Sequence, residues 1–185
     1  MAVDATGVSL INIEGNLPTY SIALVDYVPY TTATDMVVIQ NPATSTAMIR
    51  ITQIRISGSS TSGAQMDFYT NIRTALNTGG TSATVSNAIY DSNDPAAQAV
   101  PLSYSAAPTL NGTAKLARAD RVFLPANAAG SFLVWEFSVR GGAKAIHLRP
   151  GQQLSINNNG NAVAAGTSLY IGVEWTESVG SSPVQ

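Results

Sequence analysis

His147 is the only histidine in this chain of 185 residues, so any nucleophilic mechanism relying on an imidazole base must run through it. Such a mechanism needs the base beside its serine or threonine, recognisable by geometry and partners. In the stretch AKAIHLR, His147 shares a face with Ala145 and Arg149, while Ile146 and Leu148 point the other way. No G-x-S-x-G elbow accompanies it, and the residue reads as a surface or interface histidine on a strand. A second set, Asp91-Ser-Asn-Asp94, spaces its oxygens as a calcium loop would. It lacks the following glycine and distal glutamate of an EF-hand, and Asp and Asn are ordinary turn formers, so a structural turn is expected. Glu136 and Glu174 fall on the outward rows of two expected strands and could be neighbours. Paired carboxylates across a cleft can hydrolyse a glycosidic bond, but separations beyond about 10 Å exclude that mechanism. Nothing in the sequence predicts a cleft around them, and solvated charges are the simpler account.

Other chemistries leave no trace. There is no GxxxxGK[ST] loop and no GxGxxG fingerprint, and Gly79-Gly80 and Gly141-Gly142 read as hairpin or loop glycines. Asn111-Gly112-Thr113 matches a glycosylation sequon, but without an export signal the match is incidental. Tyr20, Tyr27 and Tyr30 lie near the first expected strand and could form a sugar-stacking or protein-contact surface. Tyrosine is equally at home inside strands, which is the plainer reading. No catalytic residue, metal or cofactor is expected, and the chain is read as a non-enzyme.

Composition narrows the partners. Charged residues are 11% of the chain, well below the roughly 25% of an average soluble domain. A polar but weakly ionic surface suits an extracellular coat, a subunit whose sides are covered by copies of itself, or a host genome rich in small residues. The net charge of -2 and nine scattered basic residues argue against a nucleic-acid partner, which needs clustered Lys and Arg. Cysteine is absent, so disulfides and thiolate metal sites are excluded and stability must come from packing or oligomerisation. No stretch approaches the ~20 apolar residues of a membrane span, and the N-terminus lacks the pattern of a signal peptide. Synthesis in a cytoplasm without a cleaved export signal is the expectation.

The elements that must position these residues are strands. The chain is long enough to bury about 70% of its unfolded surface in a single core. Residues 131–177 run SFLVWEFSVR, Gly141-Gly142, AKAIHLR, Pro150-Gly151, QQLSI, a polar loop through Asn159-Gly160, and TSLYIGVEW. Gly-Gly supplies the positive φ of a two-residue hairpin, Pro-Gly the centre of a type II turn, and Asn-Gly a type I′ turn. Leu169, Ile171, Val173 and Trp175 form one inward row; Leu133, Trp135, Phe137 and Val139 form another. Earlier strands are expected over 21–28, 35–41, 46–57 and 64–73, the last with Met66, Phe68 and Ile72 inward and Asp67, Asn71 and Arg73 outward. Ile49 and Ile51 share a face, yet Ile54 and Ile56 fall on the opposite one. A β-bulge near Thr52-Gln53 restores the phase, or the strand is buried on both faces. Residues 77–125, punctuated by Pro95, Pro101, Pro108 and Pro125, read as long loops crossing between sheets, with one short helical turn in AKLARADR.

The expected architecture is all-β, an antiparallel β-sandwich of jelly-roll type with long middle loops. Residues 1–19 form an N-terminal arm or edge strand, 20–177 the single sandwich domain and 178–185 a flexible tail. Within VSLINI, the apolar side chains Val8, Leu10, Ile11 and Ile13 are the candidate assembly arm.

NPATSTAMIRITQIRISG, with an Asn-Pro turn feeding a long strand, the later KAIHLRPGQQLSIN and the closing GTSLYIGVEWTE resemble the small jelly-roll structural proteins of tailed bacteriophages. The LRPGQQLSI piece also resembles trimeric tumour-necrosis-factor-like and complement-C1q-like jelly rolls. The resemblance implies a virion structural protein on the head surface, a decoration or cement subunit. It would form homotrimers, bind the major capsid protein lattice and stabilise the head. A carbohydrate-binding module or a phage tail or fibre adhesin, using the tyrosines and the Asn157–Asn161 loop on a glycan, is the alternative.

Overall fold

The computed structural model describes residues 17–32, 34–127, 132–137 and 144–179, and among them the chain forms strands and no helix. In order these are β1 (Thr19–Tyr27), β2 (Asp35–Gln40), β3 (Ala47–Ser59), β4 (Ala64–Arg73), β5 (Thr81–Thr84) and β6 (Ala88–Ile89). They continue as β7 (Val100–Ala106), β8 (Ala114–Leu124), β9 (Phe132–Glu136), β10 (Ile146–Leu148), β11 (Gln153–Asn157) and β12 (Ser168–Val179). Two antiparallel sheets pack face to face as a β-sandwich. The first runs β10-β3-β12-β1-β6, with β9 also on β3; the second runs β5-β7-β2-β11-β4-β8.

The pairing is nested. β1 pairs with β12, β2 with β11, β3 with β9 and β10, and β4 with β8. Chain start lies against chain end in both sheets, as if one long hairpin had been rolled up. Residues 74–113 are inserted at the tip of that hairpin, and they return to the other end of both sheets, where β6 joins β1 and β7 joins β2.

Alternation builds the core. Leu169, Ile171, Val173 and Trp175 of β12 are all buried, and Trp175 stacks on Tyr20 with ring centroids 5.9 Å apart. Met66 and Phe68 face them from the second sheet, with Ile72 packed at the margin of the same cluster. Each such side chain contributes about 1.5–3 kcal/mol when fully buried. In β9 Trp135 is buried, as is Phe137 just beyond it; Val139 lies outside the described residues. β2 and β11 sit in the middle of the second sheet and are buried along their whole length.

The phase change in β3 is a bulge. Gln53 opposes Glu174 and Ile51 opposes Trp175, which leaves Thr52 as the extra residue. Thr52 stays bonded, its hydroxyl donating to Glu174 O (3.1 Å) and its carbonyl accepting from Phe137 N (2.8 Å). Ile49, Ile51, Ile54 and Ile56 therefore all enter the core. The turn residues also act as their types require. Gln152 N donates to Arg149 O across Pro150-Gly151, with Gly151 at φ 82°. Asn159 and Gly160 both take positive φ, closed by Asn161 N to Asn158 O. Gly141-Gly142 lies outside the described residues, as do Val8, Leu10, Ile11 and Ile13.

The middle of the chain corrects the sequence reading. AKLARADR is not helical: it belongs to β8, paired along β4 from Ala64↔Leu124 to Arg73↔Ala114. The open edge of β4 supplies hydrogen-bond partners that outweigh the helix propensity of Ala, Leu, Lys and Arg. A register shift between Thr70 and Asn71 leaves Ala117 unopposed and breaks the alternation that would have marked a strand. Residues 77–113, read as loops, hold β5, β6 and β7. At the C-terminal end Ser178 and Val179 extend β12 against Met48 and Ala47 rather than starting a tail.

Candidate functional site

The outer face of the first sheet is built from three transverse rows, set by strand register. The first is Phe132 (β9), Ser57 (β3) and Tyr170 (β12). The second is Val134, Arg55, Gly172 and Ala23; the third is Glu136, Gln53, Glu174, Ser21 and Ala88. Successive rows are two residues apart along a strand, roughly 7 Å. The middle row is low, because at Gly172 and Ala23 hardly any side chain rises from the sheet. Two adjoining depressions of about 220 and 190 Å³ result, both lined by Ala23, Arg55 and Gly172.

Aromatic rings stand around this floor. Phe132 is 75% exposed, Tyr90 59% and Tyr170 46%. One of them is tethered. Tyr90 donates its hydroxyl to Glu174 Oε2 at 3.1 Å. The nearby Asp26 carboxylate, by attracting the hydroxyl proton and then by its charge, raises the pKa of the Tyr170 phenol. Asp26, held at φ 52°, also accepts from Ser168 Oγ at 3.2 Å. Arg55 is exposed at the centre and forms no hydrogen bond or ion pair among the described residues.

Glu136 and Glu174 do come to one row, on either side of Gln53. Their Cα positions are two strand spacings apart, roughly 10 Å, and Gln53 Nε2 lies 3.5 Å from Glu136 Oε1. Gln53 stands between them in the row, and Glu136 is exposed on an open face. His147 sits in β10 opposite Arg50, on a different strand from any of these groups. Asp91–Asp94 forms a tight turn in which Asp91 Oδ1 accepts from Asn93 N (2.9 Å) and Asp91 O from Asp94 N (3.0 Å). Among the described residues no group of three His, Cys, Asp or Glu is placed to hold a metal ion. Asn111 of the sequon spends its amide on Leu76 O (2.9 Å) and Thr78 Oγ1 (3.0 Å).

Tyr20, Tyr27 and Tyr30 are not a surface. Tyr20 is fully buried and donates to Pro95 O at 2.7 Å; burial, then the charges of Glu177 and Asp94, push its pKa up to about 12. Tyr27 crosses between the sheets to Tyr104 O (2.6 Å) and Met36 O (3.2 Å), and burial drives its pKa up strongly. Tyr30 bonds Asp35 O at 3.1 Å. Asn157 and Asn158 are buried as well. The exposed rings on the outer face of the first sheet are Tyr90, Phe132 and Tyr170. Alternation along the last strand already turned Tyr170 outward, and the same parity in β9 turns Phe132 outward, whereas Tyr90 carried no such signal.

The outer face of the second sheet is different. The segment Thr74–Gly80 crosses it from β4 to β5, over a buried polar cluster. Asp35 accepts from Arg73 Nε (2.8 Å) and Nη2 (3.2 Å) and from Asn77 Nδ2 (2.7 Å). Gln153 Oε1 accepts from Asn77 N (3.0 Å) and Gln40 Nε2 (3.2 Å). This cluster pins the crossing segment, with Asn77 Oδ1 and Gln153 Nε2 buried in it and without a hydrogen-bond partner among the described residues. A comparable clasp holds the loop before β7, where the Glu177 carboxylate accepts from Gln98 N, Ala99 N and Trp175 Nε1 at 2.8–3.0 Å.

Compared with known protein families, curated proteins and solved structures, the chain has no significant match.

Proposed function

We propose that this chain is a non-enzymatic virion structural protein of a tailed bacteriophage, a jelly-roll decoration or cement subunit that trimerises and binds the capsid lattice. The nested pairing of first strand with last and second with second-last supports the jelly-roll reading, with β5, β6 and β7 as an insertion at the hairpin tip. The observation that carries the assembly reading is β8. It is an edge strand of eleven residues whose outer side pairs with no strand among the described residues, and Leu116 (60%) and Phe123 (54%) stand exposed on it. A long edge with unpaired backbone groups and exposed large apolar side chains invites pairing with another chain. A trimer covers it with neighbouring copies, and Lys115, Arg118 and Arg121 restrict which pairings are tolerated. Binding then adds stability by mass action, which suits a particle that must survive outside a cell.

Sedimentation of the purified chain should give a trimer, and Phe123→Glu should give a folded monomer. A monomer at all concentrations, or a mass spectrum of purified virions lacking the chain, sinks the reading.

A further inference from the structure

Glycine in a strand interior needs a reason, because it weakens the strand by about 0.5–1 kcal/mol relative to alanine. Nine glycines are described, and eight have one. Seven take positive φ, and a Cβ on Gly58 would collide with Ser168 O and Leu169. Gly172 has neither reason. A Cβ there would meet only Ile22 O at 3.7 Å and Arg55 Cβ at 3.8 Å, which is ordinary contact. The fold has room for a side chain at the centre of β12, and the sequence leaves that space open.

We propose that the open face of the first sheet binds a neutral oligosaccharide, seated on Gly172 and Ala23 between the rings of Tyr90, Tyr170 and Phe132. The lining combines what a sugar needs. Flat aromatic faces pack against the apolar face of a pyranose, and planar groups that bond in pairs meet its hydroxyls. Arg55 brings guanidinium donors with no partner, Gln53 an amide, and Glu174 an Oε1 that Tyr90 leaves without a donor among the described residues. The hydroxyl tether of Tyr90 to Glu174 fixes one ring before binding, which lowers the ordering cost. One guanidinium stands against the two carboxylates Glu136 and Glu174, so the face does not attract an anionic sugar. The site lies on a sheet face, where the backbone is already paired, so strand addition by a peptide has nothing to bond to. The proposal holds whether or not the chain is a capsid subunit.

The test is an array of neutral, sialylated and sulfated glycans probed with the full chain, followed by titration of any neutral hit against variants. Binding to neutral glycans is expected. Tyr170→Ala and Phe132→Ala should each weaken it about tenfold, the loss of roughly 1.4 kcal/mol. Gly172→Val should abolish it while the melting temperature stays level or rises, which separates blocking from unfolding. Gly172→Ala offers a milder block should valine disturb the strand. Three results overturn the proposal: no neutral glycan bound, binding confined to sialylated or sulfated glycans, or binding unchanged by Gly172→Val. Hydrogen-exchange protection of Phe132 and Tyr170 on self-association, without glycan binding, would assign the face to a neighbouring protein and overturn it too.

Discussion

On the outer face of the first sheet Arg55 stands exposed and Glu174 half-buried above a floor of Gly172 and Ala23, whereas on the second sheet Asp35, Arg73 and Gln153 are shut beneath residues 74–80. Both faces carry guanidinium, carboxylate and amide groups in adjacent strands. On the covered face these groups bond to one another and to the segment above them. On the open face Arg55 has no partner among the described residues and Glu174 spends one oxygen on Tyr90. Polar groups bonded to one another in the interior hold a fold together, while those with spare bonds at an open surface are within reach of a ligand. The same residue types therefore serve opposite ends, depending on whether a loop crosses over them.

The comparison breaks first, and hardest, at the covered face. Arg73→Met leaves the Asp35 carboxylate buried without its cation, a loss of about 3–5 kcal/mol measurable as a lower urea midpoint. A loss of stability below about 1 kcal/mol would mean that Asp35 is not committed to structure. A smaller effect is expected at Asn77→Ala, which deletes the amide bond to Asp35 but keeps the backbone bond to Gln153. It should cost about 1–3 kcal/mol and raise amide exchange across residues 74–80 before it does so in β2 or β11.

The comparison is sharpened by the smallest effect, at the open margin of the second sheet. Asp67 is bonded by Arg121 through both carboxylate oxygens, Nη2 to Oδ2 at 3.1 Å. That hydrogen bond, against a smaller desolvation effect and helped by the guanidinium charge, lowers the Asp67 pKa. A carboxyl whose folded pKa is depressed adds stability above its unfolded pKa and loses it as pH falls through the folded value. Arg121→Gln should therefore cost a little stability at neutral pH, small because exposed ion pairs are screened, and the two chains should converge in acid, where Asp67 is protonated in both. Stability profiles of the two chains that stay as far apart in acid as at neutral pH would show that the effect of Arg121 does not run through the Asp67 carboxylate.

The legible parts of the fold were those where one side of a strand is wet. β12 and β4 announce themselves by alternation, and even the bulge at Thr52 shows as a phase slip between two isoleucine pairs. β8 was hidden because its alternation is broken at Ala117 and its residues favour a helix in isolation. Its strand state comes from the β4 edge, 40 to 60 residues away in sequence. The candidate site was partly legible. Glu136 and Glu174 were found to share an outward parity, but the tyrosines chosen from clustering near β1 proved to be core and cross-sheet fasteners.

By itself the sequence determined the period of the strands, the positive-φ turns at Gly151 and Asn159-Gly160, the inward rows around Trp175, and a surface poor in charge. Those follow from local backbone sterics and from the alternation of apolar side chains. Only the tertiary structure decided that Asp35 and Arg73 meet in the interior, that β8 is a strand, and that Gly172 lies at the bottom of an aromatic-rimmed depression. Each of those depends on strand register and on which loop crosses which face, and register is set by contacts between residues far apart in the chain.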